Sequence, residues 1–516
     1  MSKVIAVYLA EFDVRSGYKL LWSYSTIDNF VFDAIEYKSL PSGIHDFKNA
    51  TTYISHKSNN KIYYGLSCFR QFNIDDLGDN NDRNNLKMFT IGILCEPIKS
   101  EWKPNEFVNN GWEYIDEINE VLDLLEEDVK KNHKLDIEKF SKKFKSIGSN
   151  SNLSLPKEPI VKNHLLLNLP KLFELTGPLV FTIYKQSLLR KNILFFNETH
   201  VTEEQEDTYR ILTSFSYLIA ILSVIPKDIK ITSKLSSQQP LYNIGLNELS
   251  TDLLEDFKQN GYIGVTSDEI LKSHKIYDIG VEVQNNNAIA FQQSDKEKLL
   301  KSTIRDYHKF QSLYTKLTSK EFKFTNNSNI STDDLNSINS TDPKQFKLYT
   351  DISPQQVLNE PSWWKSNATE PVSWSESFWS AFSWFASAGQ QMNGEEEEEE
   401  EEENITVSTS PSPTTKLDLT ELLSVIGYFH RLTTKWFKYI DDLINETKEE
   451  LQILESDQQE LIDKVDLNIS YQDILDMDLD PYSSQDIEFL KEFISLYFDD
   501  KVDNVNIGYN LTKICC

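Results

Sequence analysis

Residues 35–45 read Ile-Glu-Tyr-Lys-Ser-Leu-Pro-Ser-Gly-Ile-His, and residues 62–69 read Ile-Tyr-Tyr-Gly-Leu-Ser-Cys-Phe. Because Pro41 has a fixed φ and Gly43 can adopt a positive φ, the first stretch predicts a turn. The second stretch is rich in β-forming residues and mostly apolar, as is typical of a strand covered on both faces. On these grounds alone the sequence predicts a loop that leads into a core strand.

The first third of the chain predicts a small antiparallel sheet with a helix packed on it. Residues 4–12 and 18–24 each read as a strand, and the glycine-containing turn between them makes them a hairpin. Two further strands are predicted near residues 62–69 and 87–94. Residues 112–132 carry an apolar stripe at helical spacing with an acidic outer face, which predicts a helix that packs on the sheet.

The remainder alternates between helices and short strands before it becomes helical. The polar stretch 142–157 marks a boundary, and the chain then reads as an α/β arrangement around a buried helix at 203–225. The apolar run in this helix, residues 211–226, is shorter than the roughly 20 residues needed to span a bilayer. Helices are predicted again over residues 294–318 and 417–465. Further predictions are a helix over 170–190, strands at 192–196, 262–265 and 276–283, a helix over 486–498 and a closing segment at 502–511. The predicted fold class is α/β (α+β).

Composition narrows the class of protein. Among 516 residues, Asp and Glu outnumber Lys and Arg by 81 to 52, and nine of the acidic residues form the run 395–403. The formal charge of −29 argues against nucleic-acid binding, which needs a basic surface, although it permits a local basic patch. Cys68 and Cys95 fall in apolar runs and are predicted to be reduced core residues. The chain opens without a secretory segment, so we expect it in the cytoplasm.

Motifs that carry chemistry are missing from the sequence. It has no P-loop, no dinucleotide-binding glycine pattern, no His-Glu-x-x-His, no Cys-x-x-Cys and no Gly-x-Ser-x-Gly. The eight histidines, from His45 to His430, show no metal-ligand spacing. We therefore predict no catalytic residue, no cofactor and no metal site. His45 is interpreted as a histidine that is hydrogen-bonded within its turn.

The residues of the opening stretch also resemble a known family. Glu-Tyr-Lys-Ser-Leu-x-Ser-Gly-x-His at 36–45, followed by Tyr-Tyr-Gly-Leu-Ser-Cys-Phe at 63–69, is similar to the LCHN-type branch of the DENN-domain proteins. Further similar stretches follow in the order of that family, at 88–94, 188–194, 262–278 and 477–481, before a Cys-Cys end. The resemblance assigns a family signature to Glu36, Lys38, Ser39, Ser42, Gly43 and His45.

This resemblance implies a division into modules. A longin-like module would cover residues 1–150, and a central α/β module would cover residues 158–293. A helical module would comprise residues 294–324 and 416–516. Between its two parts, residues 325–415 are rich in Ser, Asn, Asp and Glu, and they are expected to form a disordered insertion.

The resemblance also implies a function, because DENN-domain proteins are generally described as guanine-nucleotide exchange factors for Rab GTPases. The implied partner is a Rab-type GTPase, and its contact surface is expected in the groove between the longin-like and central modules. Exchange needs no nucleophile or general base, because it depends only on binding the nucleotide-free GTPase more tightly than the nucleotide-bound one. A second interpretation is a non-catalytic adaptor or scaffold at vesicles or lipid droplets, which recruits partners through the insertion and the acidic run.

Residues 373–387 form an aromatic, serine-rich segment within the insertion. On a helix, Ser and Glu would gather on one side, and the other side would carry Trp374, Phe378, Phe382, Trp384 and Phe385. Bulky aromatic residues opposite a serine face, with almost no Lys or Arg, are typical of helices that bind loosely packed membranes or lipid droplets. The alternatives are a disordered adhesive segment and one that folds back on the rest of the protein.

The chain ends in Lys513-Ile514-Cys515-Cys516, which is not a C-a-a-X prenylation motif. Palmitoylation of Cys515 and Cys516 is the preferred interpretation, and an unmodified tail is the alternative. Because one lipid anchors weakly, stable attachment usually takes two signals. The aromatic segment and the tail together predict a protein peripherally associated with endomembranes or lipid droplets.

Overall fold

The structure is a computed structural model of the chain. It describes residues 2–74, 85–98, 107–148, 163–197, 208–320, 419–454 and 464–508, apart from short gaps at 227, 230–234, 236–237, 251–253, 255–256, 258–259 and 285–286. The predicted insertion at 325–415 lies outside these residues.

The first group of strands is antiparallel. It comprises β1 (Val4–Asp13), β2 (Gly17–Ser25), β3 (Asn49–Ser58), β4 (Lys61–Asn73) and β5 (Leu86–Cys95). The predicted hairpin is confirmed by the pairing of β1 with β2, and the two predicted later strands are β4 and β5. Strand β3 was not predicted, because its sequence is too polar to suggest a core strand. Its buried Ser55 and His56 find partners, since Ser55 Oγ donates to Leu241 O at 2.8 Å and His56 Nε2 lies 2.7 Å from Val31 O.

Three helices flank these strands: α1 (Ile35–Ser39), α2 (Ile115–Asn132) and α3 (Ile137–Ser146). Alternate residues of a strand point to opposite faces of the sheet. Helices α2 and α3 therefore cover the face of β1 that carries Val7 and Leu9, whereas α1 lies on the face that carries Tyr8. The apolar stripe predicted for α2 is confirmed. Helix α3 was not predicted, because a boundary was expected from residue 142, but Phe144 is fully buried.

A second group of elements continues the same sheet. Its helices are α4 (Leu169–Thr176), α5 (Leu179–Leu188) and α6 (Thr208–Leu222). Its strands are β6 (Ile193–Asn197), β7 (Gln239–Asn243), β8 (Tyr262–Thr266), β9 (Ile279–Gln284), β10 (Asn287–Gln292) and β11 (Asp295–Leu300). The expected helical start at Ser294 is wrong, because β11 pairs with β10 as the second strand of a hairpin.

Eleven of the described strands form one sheet, in the order β11-β10-β9-β6-β8-β7-β3-β4-β5-β1-β2. Strands β7, β8, β6 and β9 run parallel to their neighbours in that part of the sheet. The two groups meet where β3 pairs with β7 at Ile54 and Tyr242. Helix α6 packs on both β3 and β7, so it covers this meeting line.

The C-terminal part is mainly helical. It comprises α7 (Ile304–Thr318), α8 (Leu419–Leu454), β12 (Val465–Ile469), α9 (Tyr471–Asp476), α10 (Ser484–Tyr497) and β13 (Val502–Ile507). The helix expected over 417–465 was extended too far, because Val465 begins strand β12. Strands β12 and β13 pair in parallel. The predicted α/β (α+β) class with a helical C-terminal part is confirmed, whereas the module boundaries stay predictions.

Candidate functional site

The family signature lies where the two groups of strands meet. Helix α1 carries Glu36, Lys38 and Ser39, and the turn that follows carries Ser42, Gly43 and His45. This segment contacts the first group of strands, the end of β7 and the loop that follows β8. We call this region, centred on residues 35–46 and the β3–β7 pairing, the first joint.

Lys38 is the buried centre of the first joint. Its Nζ atom donates to Ser55 O at 2.7 Å and lies 3.2 Å from Glu248 Oε1. The side chains of Lys38 and Glu248 are only 7% and 3% exposed, so each charge depends on the other for solvation. Asn243 Nδ2 donates to Lys38 O at 3.0 Å, and Glu248 Oε2 accepts from Gly245 N at 2.7 Å. Lys38 therefore ties α1 to β3 and to the segment after β7.

Ser39 fixes the same helix to the sheet below it. Its Oγ atom donates to Ile35 O at 2.7 Å and lies 2.5 Å from the hydroxyl oxygen of Tyr8 on β1. Ser67 Oγ on β4 donates to Ser39 O at 3.3 Å. The side chains of Tyr8, Ser39 and Ser67 are all buried, so these hydrogen bonds replace those that the same groups would form with water.

The turn at Ser42 and Gly43 binds the second group of elements. Ser42 O accepts from Tyr209 on α6 at 2.5 Å and from Ser267, after β8, at 2.7 Å. Gly43 has φ +81°, and a Cβ atom there would lie 3.1 Å from the Tyr209 hydroxyl. Burial raises the pKa of Tyr209 well above its usual range, so it stays a neutral donor. A glycine at this position allows both the backbone conformation and the close approach.

The outer side of the first joint is exposed and partly apolar. Tyr37 on α1 and Leu246 after β7 are each 41% exposed, and Ile270 after β8 is 60% exposed. Leu246 N donates to Asp268 Oδ2 at 3.3 Å, which links the two loops. Burial raises the pKa of the Asp268 carboxyl above its ordinary value. We call Tyr37, Leu246 and Ile270 the outer rim of the first joint.

Two signature residues, His45 and Glu36, do not form the buried contacts described for Lys38 and Ser39. His45 is exposed, and its Nε2 atom lies 3.6 Å from Asp46 Oδ1, so it is not a histidine enclosed within the turn. Glu36 is half-buried in the first turn of α1. The predicted role of His45 as a hydrogen-bonded turn residue is thus replaced by a contact with the neighbouring carboxylate at the surface.

Another stretch that carried the resemblance, residues 477–481, lies at a second joint, where α5, α7 and α10 come together. Lys185 Nζ lies 2.7 Å from Asp306 Oδ2 and 2.6 Å from Asp486 Oδ1. The other oxygen of Asp486 accepts from Asp480 N at 2.9 Å, and Trp436 Nε1 donates to Met477 O at 2.7 Å. The stretch 477–481 therefore holds the C-terminal helices against the centre of the protein.

The predicted membrane-contact residues, Trp374, Phe378, Phe382, Trp384 and Phe385, and the predicted lipidation sites, Cys515 and Cys516, lie outside the described residues. Within the part that the structure describes, no helix is long and apolar enough to cross a membrane. The same part contains no cluster of His, Cys, Asp and Glu side chains able to hold a metal ion.

Sequence reasoning missed the partners of the signature. Tyr209, Asn243 and Glu248 lie between 167 and 210 residues from the groups that they contact. No local pattern connects residues that far apart. The one available signal was the resemblance over residues 262–278, which contain Ser267 and Asp268.

Comparison with known proteins places the chain in a family. A family model described as DENN domain-containing protein 11 matches residues 7–293, more than half of the chain, so the chain belongs to this DENN-domain family. A second model, described as a domain of unknown function (DUF4484), matches residues 369–515. DENN-domain membership associates the chain with the regulation of membrane traffic.

Two fungal proteins are similar to this chain. The Saccharomyces cerevisiae protein named uncharacterized protein ANR2 is 23% identical over 545 aligned positions, which cover 99% of this chain and 94% of that protein. The Schizosaccharomyces pombe protein named uncharacterized protein C119.16c is 24% identical over 321 positions, or 55% of this chain and 64% of that protein. Within the LCHN-type branch, the sequence most resembles the fungal AVL-nine-related member, and the match with the first protein agrees with this resemblance.

Proposed function

We propose that this protein is a guanine-nucleotide exchange factor for a Rab-type GTPase and that the GTPase binds at the outer rim of the first joint. Family membership supports the general role, and the exposed apolar rim beside the signature supports the location. The rim stands on a rigid base, because Lys38 and Ser39 form buried hydrogen bonds beneath it and Ser42 O accepts a partly buried one from Tyr209. A rigid surface can favour one conformation of the GTPase switch segments over another, and only such a difference in affinity accelerates nucleotide release.

The test is nucleotide release from a panel of GDP-loaded Rab-type GTPases. The intact protein should accelerate release from one of them, and Ile270→Asp should reduce that acceleration at least about 30-fold, as expected for a central interface residue. Leu124→Asp is the matched control, because Leu124 is 42% exposed on α2, which covers the opposite face of the sheet. Equal effects of both substitutions would remove the rim as the binding site.

An adaptor without exchange activity is the competing function. It would bind one GTPase stably and accelerate release from none, and this outcome would overturn the exchange proposal while leaving the rim as a binding surface. Ile270→Asp would then weaken binding in a pull-down with the purified GTPase, whereas Leu124→Asp would not.

We further propose that the aromatic segment and the Cys-Cys tail attach the protein peripherally to endomembranes or lipid droplets, with the tail palmitoylated. Replacing Trp374, Phe378 and Phe385 with Ala should release a fluorescent fusion into the cytosol. A variant with Ser380, Ser383 and Ser387 replaced by Ala is the matched control, since these residues fall on the other side of the predicted helix. Cys515→Ser combined with Cys516→Ser tests the tail. Unchanged targeting of either variant would remove that feature from the proposal.

A further inference from the structure

The end of α2, the connection that follows it and α3 carry a basic surface on an otherwise acidic protein, whereas the outer face of α2 before Lys130 is acidic. Residues 130–145 contain seven lysines and two acidic residues, a net charge of +5 within a chain whose formal charge is −29. The exposed lysines of this region are Lys131, Lys134, Lys139, Lys142, Lys143 and Lys145. We call these six residues the basic surface.

The fold holds the basic surface in place. Helix α2 ends at His133, which has φ 53°, and Asp136 then caps α3 by accepting from Lys139 N at 3.2 Å. Phe140 and Phe144 on α3 are buried in the core, and an ion pair between Lys139 and Asp128 joins the two helices. At 100° per residue, Lys142 falls on the side of α3 opposite these two phenylalanines. The lysines are therefore displayed by a rigid helical pair.

Several of these ammonium groups keep their charge available to a partner. Lys131, Lys134, Lys142 and Lys143 form no ion pair with any residue that the structure describes. Lysines in the last turn of a helix interact favourably with its C-terminus. This effect does not explain the lysines that lie at both ends of the connection between α2 and α3 and along α3. The like charges of these exposed lysines repel one another, and Asp136 and Glu138 offset only two of the seven lysine charges between residues 130 and 145.

Aromatic side chains border the basic surface. Tyr24 on β2 is 37% exposed, and Lys145 Nζ lies 4.8 Å from the centre of its ring. Trp22 stacks beside Tyr24 and contacts Phe144, with ring centres 5.1 Å apart. Tyr and Trp at the edge of a basic patch suit a boundary between water and lipid, since each has an apolar body and a polar group.

We infer that the basic surface docks the protein onto bilayers that expose anionic phospholipid headgroups. Clusters of four to eight Lys or Arg residues are attracted to such membranes. An extended nucleic acid fits less well, because it would run from the basic patch onto the acidic remainder of the chain. This inference rests on the peripheral membrane association proposed above, and it is independent of the aromatic segment and of the tail.

The placement is compatible with binding of a GTPase. Val7 and Leu9 face α2 and α3, whereas Tyr8 between them faces α1 and the signature. The basic surface and the first joint are thus on opposite faces of the sheet. A protein that docks through the basic surface, at the end of α2 and on α3, would present the outer rim away from the bilayer.

The test is sedimentation of the full chain with lipid vesicles. The protein is made in bacteria, so that Cys515 and Cys516 carry no lipid, and it is mixed with phosphatidylcholine vesicles with or without phosphatidylserine. It should bind the anionic vesicles more tightly, and high salt should weaken binding, because the screening length falls from about 10 Å at 0.1 M to about 3 Å at 1 M. A variant carrying Lys131→Gln, Lys142→Gln and Lys143→Gln should lose affinity for these vesicles on the order of 100-fold.

A matched control removes the same charge elsewhere. Lys275, Lys438 and Lys491 are exposed lysines outside α2 and α3, and replacing all three with Gln should leave vesicle binding close to that of the intact protein. Equal losses in both triple variants, or no loss in the first, would overturn the inference. An unchanged denaturation midpoint excludes unfolding as the cause of a loss.

Other occupants and other failures give different results. A DNA duplex or a nine-residue glutamate peptide can be tested as a competitor for the basic surface at equal charge concentration. If either one binds there more strongly than anionic vesicles do, the inference is overturned in favour of that occupant. Equal binding to neutral and anionic vesicles would reject the basic surface but keep the proposed membrane association. If the protein bound neither neutral nor anionic vesicles, both the basic surface and the proposed membrane association would be rejected. Exchange activity is measured without membranes, so its outcome does not depend on these results.

Discussion

The two joints of this protein both contain a buried lysine, but they hold it differently. At the first joint, Lys38 contacts one carboxylate, that of Glu248, and the Ser55 carbonyl oxygen. At the second joint, Lys185 contacts two carboxylates, those of Asp306 and Asp486. The first joint has an exposed apolar rim, whereas aromatic side chains of α5, α8 and α10 enclose the second.

This difference separates a surface that a partner can reach from a connection that only stabilises the fold. Burial disfavours the charged form of Lys185, but the two carboxylates outweigh it, so the pKa of Lys185 is raised. Its ammonium group therefore stays charged and is held by helices from three parts of the chain. The first joint combines a similar internal contact with side chains that face water, so its geometry can affect binding as well as stability.

Loss of the second lysine should have the largest effect. Lys185→Met leaves Asp306 and Asp486 buried without their shared cation, so we expect the free energy of unfolding to fall by about 4 kcal/mol. Urea denaturation followed by tryptophan fluorescence measures this change. The control is Lys491→Met, at an exposed position of α10, which should change stability by less than about 0.5 kcal/mol. Equal effects would mean that the second joint does not depend on its ion pairs.

Loss of the first lysine should cost less, because one carboxylate is left without its cation. For Lys38→Met we expect a loss of about 3 kcal/mol and faster hydrogen exchange at β3 and β7. The exposed Lys48→Met on the neighbouring turn is the control. If exchange at β3 and β7 stayed protected, Lys38 would not be what holds the two groups of strands together.

Acid should destabilise the fold through two buried histidines, His56 and His430. Burial lowers the pKa of His56, beside the first joint, to about 4, and it lowers the pKa of His430, which packs on α6 with Nε2 2.9 Å from Ile221 O. Since the unfolded chain binds these protons at pH 6.5 and the folded chain does not, stability falls as pH drops below 6.5. At pH 5 His56 should cost roughly 2 kcal/mol of stability, and His430 should lower the stability in the same direction.

Unfolding free energies at pH 7.5 and pH 5 test this dependence. His56→Gln should make the drop smaller by about 2 kcal/mol, His430→Gln should also make it smaller, and His45→Gln is the matched control at an exposed position. A drop of unchanged size in both buried variants would assign the acid sensitivity to other groups.

The smallest effect is expected at the turn of the first joint. Gly43→Ala forces a Cβ atom into a backbone with φ +81° and towards the Tyr209 hydroxyl, at a cost of about 1 kcal/mol. Gly245→Ala is the control, because that residue lacks a positive φ and its nearest neighbour, an Asp268 oxygen, would lie 3.4 Å away. Calorimetric melting compares the two, and equal shifts would show that the turn at Gly43 is not strained by a side chain.

Much of the fold could be predicted from the periodic spacing of apolar residues. Such spacing indicates which face of a strand or helix is buried, provided that the buried side chains are apolar. The alternation in β1 and the stripe in α2 are of this kind. Strand β3 escaped prediction because its buried residues include Thr52, Ser55 and His56, which are polar. Strand β11 escaped because its sequence, Asp-Lys-Glu-Lys-Leu-Leu, has no strand-like pattern, and only its pairing with β10 makes it a strand.

The candidate site was predictable only as a set of signature residues. Their identity and order pointed to Lys38, Ser39, Ser42 and Gly43, but not to what each contacts. The buried position of Lys38 could not be read from a lysine flanked by Tyr37 and Ser39, since a lysine is normally exposed unless a partner neutralises it.

By itself, the sequence determined the family, the fold class, the missing catalytic motifs and the apolar residues that fill the core. The tertiary structure alone decided that the signature forms a joint, that Tyr37, Leu246 and Ile270 are exposed on or beside the elements that meet there, and that the lysines of α2 and α3 lie on the opposite face of the sheet. The physical reason is distance along the chain. Hydrophobic periodicity acts between neighbours in sequence, whereas the contact of Lys38 with Glu248 spans 210 residues and forms only when the chain folds.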